Sequence, residues 1–279
     1  MVDAGCTYAV MEVSSHALAL DRVYGVPFEV GVFTNLTRDH LDFHKTMDAY
    51  CAAKAILFSQ CKKGVVNLDD AYAQQIISLA KCPVYTCSAS NDAADLVARN
   101  IRLDHEGVQF CVLTTGRLEK TKLGIPGRFS VYNGLAAIAV AVQLGLDLGD
   151  AARALENCRG VCGRAEVVPT GRDFSVIIDY AHTPDALENI LNTVQDFAKG
   201  RVVALVGCGG DRDKTKRPVM GEIAASLSDL VILTSDNPRT EDPEAIIADI
   251  LPRLEGSGTP YPAICPRVEA IHWAMDHAQ

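Results

Sequence analysis

Thr34-Asn35-Leu36-Thr37-Arg38-Asp39-His40-Leu41-Asp42-Phe43-His44 is the stretch on which the reading of this chain turns. It follows Val30 to Phe33, a short apolar run that predicts a buried strand. Between Arg38 and His44 come two histidines, two aspartates and an arginine. Packing alone does not call for such a cluster, and ligands of α/β sheets sit beyond strand ends. A polar loop with a helix cap is the plain alternative, because Thr and Asp are ordinary cap residues. Two further segments weigh toward a site. Glu12-Val-Ser-Ser-His16 closes an expected strand, Thr7 to Met11, and Tyr50-Cys-Ala-Ala-Lys54 rides a helix expected from Asp48 to Phe58.

Outward from there, Tyr8 to about Thr86 alternates strand, loop and helix, the pattern of a mostly parallel sheet. Val65 to Asp70 reads as a strand leading into a capped helix through Leu79, and Pro83 to Tyr85 as the next strand. Alternation from Leu96 to Leu113 with Gly107 at a turn predicts an antiparallel hairpin. The breaker-rich loop 123–129 opens a helix from Val131 to Leu144, and a second helix is expected near Gly149 to Cys158. Glycines interrupt the pattern between Arg159 and Gly163, so the domains expected are 1–160 and 161–279. The second repeats the α/β pattern. Strands fall at Ser175 to Ile178, Val202 to Val206 and Leu230 to Thr234. Helices fall at Pro184 to Ala198, Lys216 to Ser226, Pro243 to Leu254 and Val268 to His277.

Composition bounds the class. At 279 residues the chain is long enough for two domains with cores of their own. With 48% hydrophobic and 22% charged residues it is neither disordered nor fibrous. A net charge of −9 argues against a sequence-independent nucleic-acid binder. No apolar run approaches the roughly 18 residues that span a bilayer. No secretory signal precedes the first expected strand, so neither membrane insertion nor export is expected. The ten cysteines are scattered without a Cys-x-x-Cys pair, which speaks against zinc and for a reducing, cytoplasmic setting.

Six motifs, in order, carry a resemblance. They are Glu12-Val-Ser-Ser-His, Thr34-Asn-Leu-Thr-Arg-Asp-His-Leu-Asp, Ala52-Ala-Lys54, Asp179-Tyr-Ala-His-Thr-Pro-Asp185, Gly207-Cys-Gly-Gly-Asp-Arg-Asp213 and Asp236-Asn-Pro-Arg239. Together they resemble the Mur ligases, ATP-dependent amide ligases that build the peptidoglycan stem peptide. The last three narrow the match to the ligase that adds meso-diaminopimelate as the third residue. The resemblance implies a central ATPase domain followed by a Rossmann-like C-terminal domain, a monomer, and ATP and Mg2+ as cofactors. The substrates implied are the UDP-N-acetylmuramoyl-dipeptide and meso-diaminopimelate. The reaction implied is activation of a carboxylate to an acyl phosphate, then attack by an amine.

Roles carry over by position. Glu12 and His40 match the magnesium-binding pair, Glu12 more securely because carboxylate is the more natural magnesium ligand. A charge closing the apolar run Tyr8 to Met11 would also be costly unless partnered. Lys54 matches the lysine that this family carries as a carbamate, which turns a cation into an anion able to help hold a second magnesium. Ser14 and Arg22, with Ser15 and His16 beside them, match residues near the muramoyl-peptide. Asn133, Arg164, Asp179 and His182 match ATP contacts: an amide for adenine, a guanidinium for phosphate, an acid at a strand end for ribose hydroxyls. Arg212, Asp236, Asn237 and Arg239 match the amino-acid pocket. The far end of meso-diaminopimelate is a second amino-acid head group, which a guanidinium can hold bidentately while Asn or Asp accepts from the ammonium.

Competing readings come from three classes. A folylpolyglutamate-synthetase-like ligase would carry Glu12, His40 and Lys54 but not Asp236-Asn-Pro-Arg239, and a lysine-adding relative would lack the arginine. A nicotinamide dehydrogenase needs G-x-G-x-x-G, which Gly207 to Asp213 does not supply. A non-catalytic binding module is the third class. No G-x-x-x-x-G-K-[ST] phosphate loop occurs in these residues. Neither does the family's uridine-binding domain or its closing Gly-Lys-Gly-His-Glu segment. The resemblance therefore implies a piece of the ligase that does not turn over alone.

Overall fold

A computed structural model describes residues 1–278. It has two compact units, one built from 1–101, 109–122 and 131–156, the other from 102–108, 123–130 and the chain from 157 onward.

The first unit opens with helix α1 (Ser15–Ala19) and strand β1 (Phe28–Phe33). Helices α2 (Leu41–His44) and α3 (Met47–Ala55) lead through a 3-10 turn, Ile56–Ser59, into β2 (Cys61–Asn67). Then come α4 (Ala73–Leu79), β3 (Val84–Ser88), β4 (Leu96–Asp104), β5 (Gly107–Thr114), β6 (Arg117–Leu123), α5 (Phe129–Gln143) and α6 (Leu148–Leu155). The six strands form one sheet in sequence order, with β1 to β4 parallel. Two-residue turns join β4, β5 and β6, as expected of hairpins. The β6 strand itself was not foreseen.

Two glycines let the 3-10 turn lie on the sheet. Gly31 of β1 is the register partner of Gly64 of β2. A Cβ on Gly64 would fall 2.8 Å from the Phe58 ring, and one on Gly31 would fall 3.2 Å from Leu57. Phe58, 1% exposed, thus fills the space of a missing side chain and joins Phe33, Leu36, Tyr50, Cys51, Val66 and Ile76 in the core.

The expected strand at Thr7 to Met11 is absent. That segment has no ladder partner, and Tyr8, Val10 and Met11 are 73%, 100% and 54% exposed. Apolar alternation makes a strand only where a neighbouring backbone takes its N–H and C=O groups, and none does here.

The second unit contains a small antiparallel pair, β7 (Glu166–Val168) with β8 (Val176–Ile178). The strand expected at Ser175 to Ile178 therefore pairs outside the main sheet. Helix α7 (Pro184–Gln195), β9 (Val203–Val206), α8 (Lys216–Ser226), β10 (Leu230–Leu233), α9 (Pro243–Ala248) and α10 (Arg267–Asp276) follow. β9 and β10 are parallel, and both faces of β10 are covered. Val231 and Leu233 pack with Leu187, Leu191, Met220, Ala224 and Ile250, while Leu230 and Ile232 pack with Ala270 and Trp273. That is why Leu-Val-Ile-Leu is apolar without alternation. The helix expected from Pro243 to Leu254 stops at Ala248 and resumes as a 3-10 turn, Leu251–Arg253, with Pro252 at its start. Proline cannot donate the N–H that an uninterrupted helix would need.

Replacing Gly64 by Ala is expected to lower the unfolding free energy by about 1–3 kcal/mol through overpacking against Phe58. Chemical denaturation checks this, and an unchanged midpoint would mean that the ring does not rest on Gly64.

Candidate functional site

The Thr34–His44 stretch is pinned where it leaves β1. Asn67 Nδ2 donates to the Thr34 carbonyl at 3.0 Å, and one oxygen of Asp70 accepts the Leu36 N–H at 2.8 Å. The other oxygen of Asp70 accepts the Tyr72 N–H at 2.8 Å. The side-chain cap expected on the following helix is missing, since Tyr72 occupies the N-cap of α4 and makes no such bond. Asp70 is used instead to tie the loop after β2 to the loop after β1.

Past that anchor, His16, Phe43, His44, His40 and Tyr50 form a cluster of rings. Centroids are 4.3 Å apart for His16–Phe43, 4.8 Å for His16–His40 and 4.9 Å for the stacked His44–Tyr50 pair. His44 is buried and shares a 2.9 Å hydrogen bond with the buried Ser15 hydroxyl. Burial pushes its pKa below the usual histidine value, with His16 and His40 adding to the effect. His44 and Ser15 are therefore packing groups, and His40 is the more open histidine, its side chain 42% exposed. His40 takes a left-handed backbone (φ 55°) at the N-cap of α2, a conformation uncommon for a residue with a side chain.

Tyr50 links His40 to Lys54. Its ring lies 5.9 Å from His40, and the Lys54 Nζ sits 5.4 Å from its centroid. Burial lowers the Lys54 pKa, while the carboxylates of Asp70 and Glu12 act in the opposite direction. Those carboxylates are thus within electrostatic reach of the ammonium. Glu12 itself is exposed and follows an exposed segment, so the buried-charge argument for it falls with the missing strand. Ser14 caps α1, its hydroxyl accepting the Ala17 N–H at 3.1 Å, and Arg22 is exposed in the turn after that helix. Asn133 is exposed in the second turn of α5 rather than at a capping position.

Among the described residues no group of three or more His, Cys, Asp or Glu is arranged to hold a metal ion. Glu12 and His40 contribute one carboxylate and one imidazole. Lys54 is a repelling cation as an amine and an oxygen ligand only as a carbamate. As chemical types, a carboxylate, an imidazole and, after that conversion, a carbamate would suit magnesium, which keeps water or phosphate oxygens in its remaining positions.

In the second unit, Arg164, Asp179 and His182 are brought together. One oxygen of Asp179 accepts the Ala165 N–H and the other the Ala181 N–H, each at 2.8 Å. Ala165 has φ 45°, so this bond holds a strained turn beside Arg164. The Arg164 guanidinium lies over the exposed Tyr180 ring at 4.8 Å, and Lys216 Nζ donates to the His182 carbonyl at 2.7 Å. The glycine loop after β9 interlocks with the loop after β10. Gly210 N–H donates to the Asn237 carbonyl at 2.9 Å, and Arg239 Nη1 donates to the Gly210 carbonyl at 2.7 Å. A Cβ on Gly209 would fall 2.9 Å from Arg239 Nη1 and 4.0 Å from Arg212 Cγ, so both arginines approach that glycine. Asp236 and Asn237 are exposed beside them.

Sequence reasoning missed Tyr50, Asp70, Tyr180, Lys216, Arg217 and Glu241. Tyr50 and Tyr180 lie inside motifs already singled out, and Lys216-Arg217-Pro opens a helix that was expected. Glu241 carried no signal, because its partner Arg217 is 24 residues away.

Residues 1–141 match the family model of the Mur ligase middle domain, and residues 163–279 that of the Mur ligase glutamate ligase domain. The chain belongs to the Mur ligase family. Among its relatives is the UDP-N-acetylmuramoyl-L-alanyl-D-glutamate--2,6-diaminopimelate ligase of Clostridium tetani, 48% identical over 281 residues, covering 100% of this chain and 57% of the relative. The enzyme of the same name from Clostridium botulinum is 46% identical over 281 residues, covering 100% and 58%. A solved structure of a ligase of that name matches with a TM-score of 0.73 at 38% identity, over 99% of this chain and 58% of that one. This Mur ligase chain thus spans less than two thirds of the relatives it matches. A Mycobacterium tuberculosis folylpolyglutamate synthase is 21% identical with a TM-score of 0.69, over 91% of this chain and 58% of that one, a likeness of fold alone. The mixed α/β fold with a mostly parallel sheet is that of the family. No helix among the described residues is long and apolar enough to cross a membrane.

Arg217 holds the Glu241 carboxyl well below its ordinary 4.5, with Lys214 and the Asp211 N–H assisting. Stability from this contact is whole above that ordinary value and is lost as pH falls through the lower folded one. In acid titration followed by circular dichroism, Glu241→Gln is expected to flatten the limb below pH 4.5. Superimposable acid limbs for the two proteins would contradict the assignment.

Proposed function

We propose that this chain forms the ATP- and amino-acid-handling part of a ligase that joins meso-diaminopimelate to UDP-N-acetylmuramoyl-L-alanyl-D-glutamate in the cytoplasm. The observation that carries this reading is that Arg212 and Arg239 both approach Gly209, with Asp236 exposed beside them. Two arginines beside one glycine favour a ligand with a carboxylate at that end, and an adjacent acid accepts from its ammonium. Lysine ends in an ammonium alone, which the arginines would repel. The identity of 46–48% with ligases named for diaminopimelate supports the same choice.

In this reading a carboxylate of the nucleotide substrate attacks the γ-phosphorus of ATP, giving an acyl phosphate and ADP. The amine of diaminopimelate then attacks the acyl carbon, and phosphate leaves as the amide forms. Arg164 binds phosphate oxygens, and its stacking on Tyr180 holds the guanidinium plane in place. Asp179 already accepts two backbone N–H groups, yet each oxygen keeps a lone pair for a ribose hydroxyl. His182 stands beside this pair, and Asn133 offers an amide to adenine. Ser14 keeps its hydroxyl proton for the muramoyl-peptide while its oxygen caps α1, and the exposed Arg22 can meet a substrate anion. Glu12, His40 and the carbamate of Lys54 would hold magnesium, which would supply neutralisation of the crowded phosphate charge. The lowered pKa of Lys54 favours this, because carbon dioxide adds to the neutral amine.

Assays use the protein as its gene encodes it. In competition between meso-diaminopimelate and lysine, incorporation of diaminopimelate is expected, and preferred incorporation of lysine would reject the reading. Arg239→Ala should raise the KM for the amino acid by about 10–100-fold, the worth of one charged hydrogen bond.

Lys54→Ala should nearly abolish turnover, and Lys54→Glu, which restores a carboxylate, should retain more of it. Wild-type rates in Lys54→Ala would exclude the carbamate.

A further inference from the structure

Arg217 is the largest fully buried side chain in the molecule's described residues, 1% exposed, and none of the steps above uses it. It sits in the first turn of α8 and spreads its guanidinium over three elements. Nη2 and Nη1 meet the two oxygens of Glu241 at 2.8 and 3.0 Å, a bidentate pair. Nη1 also meets Asp249, just past α9, at 2.8 Å, and Nη2 donates to the Gly209 carbonyl at 3.3 Å. The contact with Gly209 is on the very residue that Arg212 and Arg239 approach.

The pair does more than neutralise a buried charge. Glu241 also accepts the Asp211 N–H at 2.5 Å and lies 2.9 Å from Lys214 Nζ. Asp211 in turn accepts from the Thr240 hydroxyl at 2.8 Å. Asp211 and Arg239 both have left-handed backbones, φ 51° and 50°, without being glycine. Such conformations persist only where surrounding contacts over-determine them. Gly210 has no room for a side chain, since a Cβ there would fall 1.9 Å from the Pro238 carbonyl oxygen. The two loops are therefore keyed together, and the Arg217–Glu241 fork is the buried pin through the key. For stability alone, a buried ion pair is commonly no better than apolar residues of the same shape. Here it fixes the geometry of two loops that carry ligand groups.

We propose that Arg217 is a positioning residue for amino-acid selection, acting through Glu241 to set the spacing of Arg212 and Arg239. The inference rests on the reading of that loop pair as the amino-acid site. A lysine keeps the charge but not the planar fork, so it cannot hold Glu241 and Gly209 at once.

The test is steady-state kinetics on the gene-encoded protein with Arg217→Lys, Glu241→Gln and Asp249→Asn, each with a thermal melt. Arg217→Lys and Glu241→Gln are expected to raise the KM for meso-diaminopimelate by about tenfold or more. The KM for ATP should stay within about twofold, and discrimination against lysine should fall. Asp249→Asn, which touches Arg217 but neither loop, should lower Tm without moving the KM for the amino acid. If Arg217→Lys does not fold, Glu241→Gln carries the test. A uniform loss of Tm in all three variants with no change in the KM for diaminopimelate would overturn the proposal. Should the unmodified protein prefer lysine, the site reading fails instead, and the two failures are told apart by that control.

Discussion

Backbone N–H groups left open at the strand ends are what this structure has to satisfy, and it does so with carboxylates. Asp70 accepts from Leu36, Asp69 from Ala89, Asp179 from Ala165 and Ala181, and Glu241 from Asp211. Apart from the local Asp179–Ala181 bond, each joins a loop after one strand to a second loop or turn. A buried or half-buried N–H without a partner costs about 1–3 kcal/mol, so these acids decide where the loops can lie. With those donors taken the loops are tied in place, and the candidate ligand-binding side chains they carry are tied with them.

The two units use the constraint differently. In the first, Asp70 fixes the start of the Thr34–His44 stretch, and the rest packs as a ring cluster that leaves His40 near Tyr50 and Lys54. Burial there also lowers the pKa of Lys54, while the nearby Asp70 and Glu12 carboxylates act the other way. In the second, charge meets charge directly. Arg217 and Glu241 form a buried fork whose partners are the loops bearing Arg212 and Arg239. A rigid acidic lattice thus presents a set of exposed basic groups, which suits recognition of phosphates and carboxylates.

Much of the fold was legible where local signals agree. Helix α8 spans Lys216–Ser226 as its periodicity predicts, and α7 begins at Pro184 because Thr183 caps it and proline suits the first turn. Strand β10 was legible from four apolar residues in a row. Thr7 to Met11 misled, since its alternation resembles a strand while nothing pairs with it. Helices α1 and α2 were not foreseen, being 5 and 4 residues long and so without a full period to read. The anchoring role of Asp70 was not legible because its neighbour across space, Leu36, is 34 residues earlier.

By itself the sequence determined the family, most of the longer strands and helices, and which motifs carry chemical side chains, because motif spacing, caps and apolar periodicity are all encoded locally. Tertiary structure alone decided which members of those motifs are structural and which are open. It buried His44 and Ser15 against each other, left His40 accessible, set Arg212 and Arg239 beside one glycine, and paired Arg217 with Glu241. The physical reason is that burial and hydrogen-bond partnership belong to pairs of residues far apart in the chain, and a pair has no local signature.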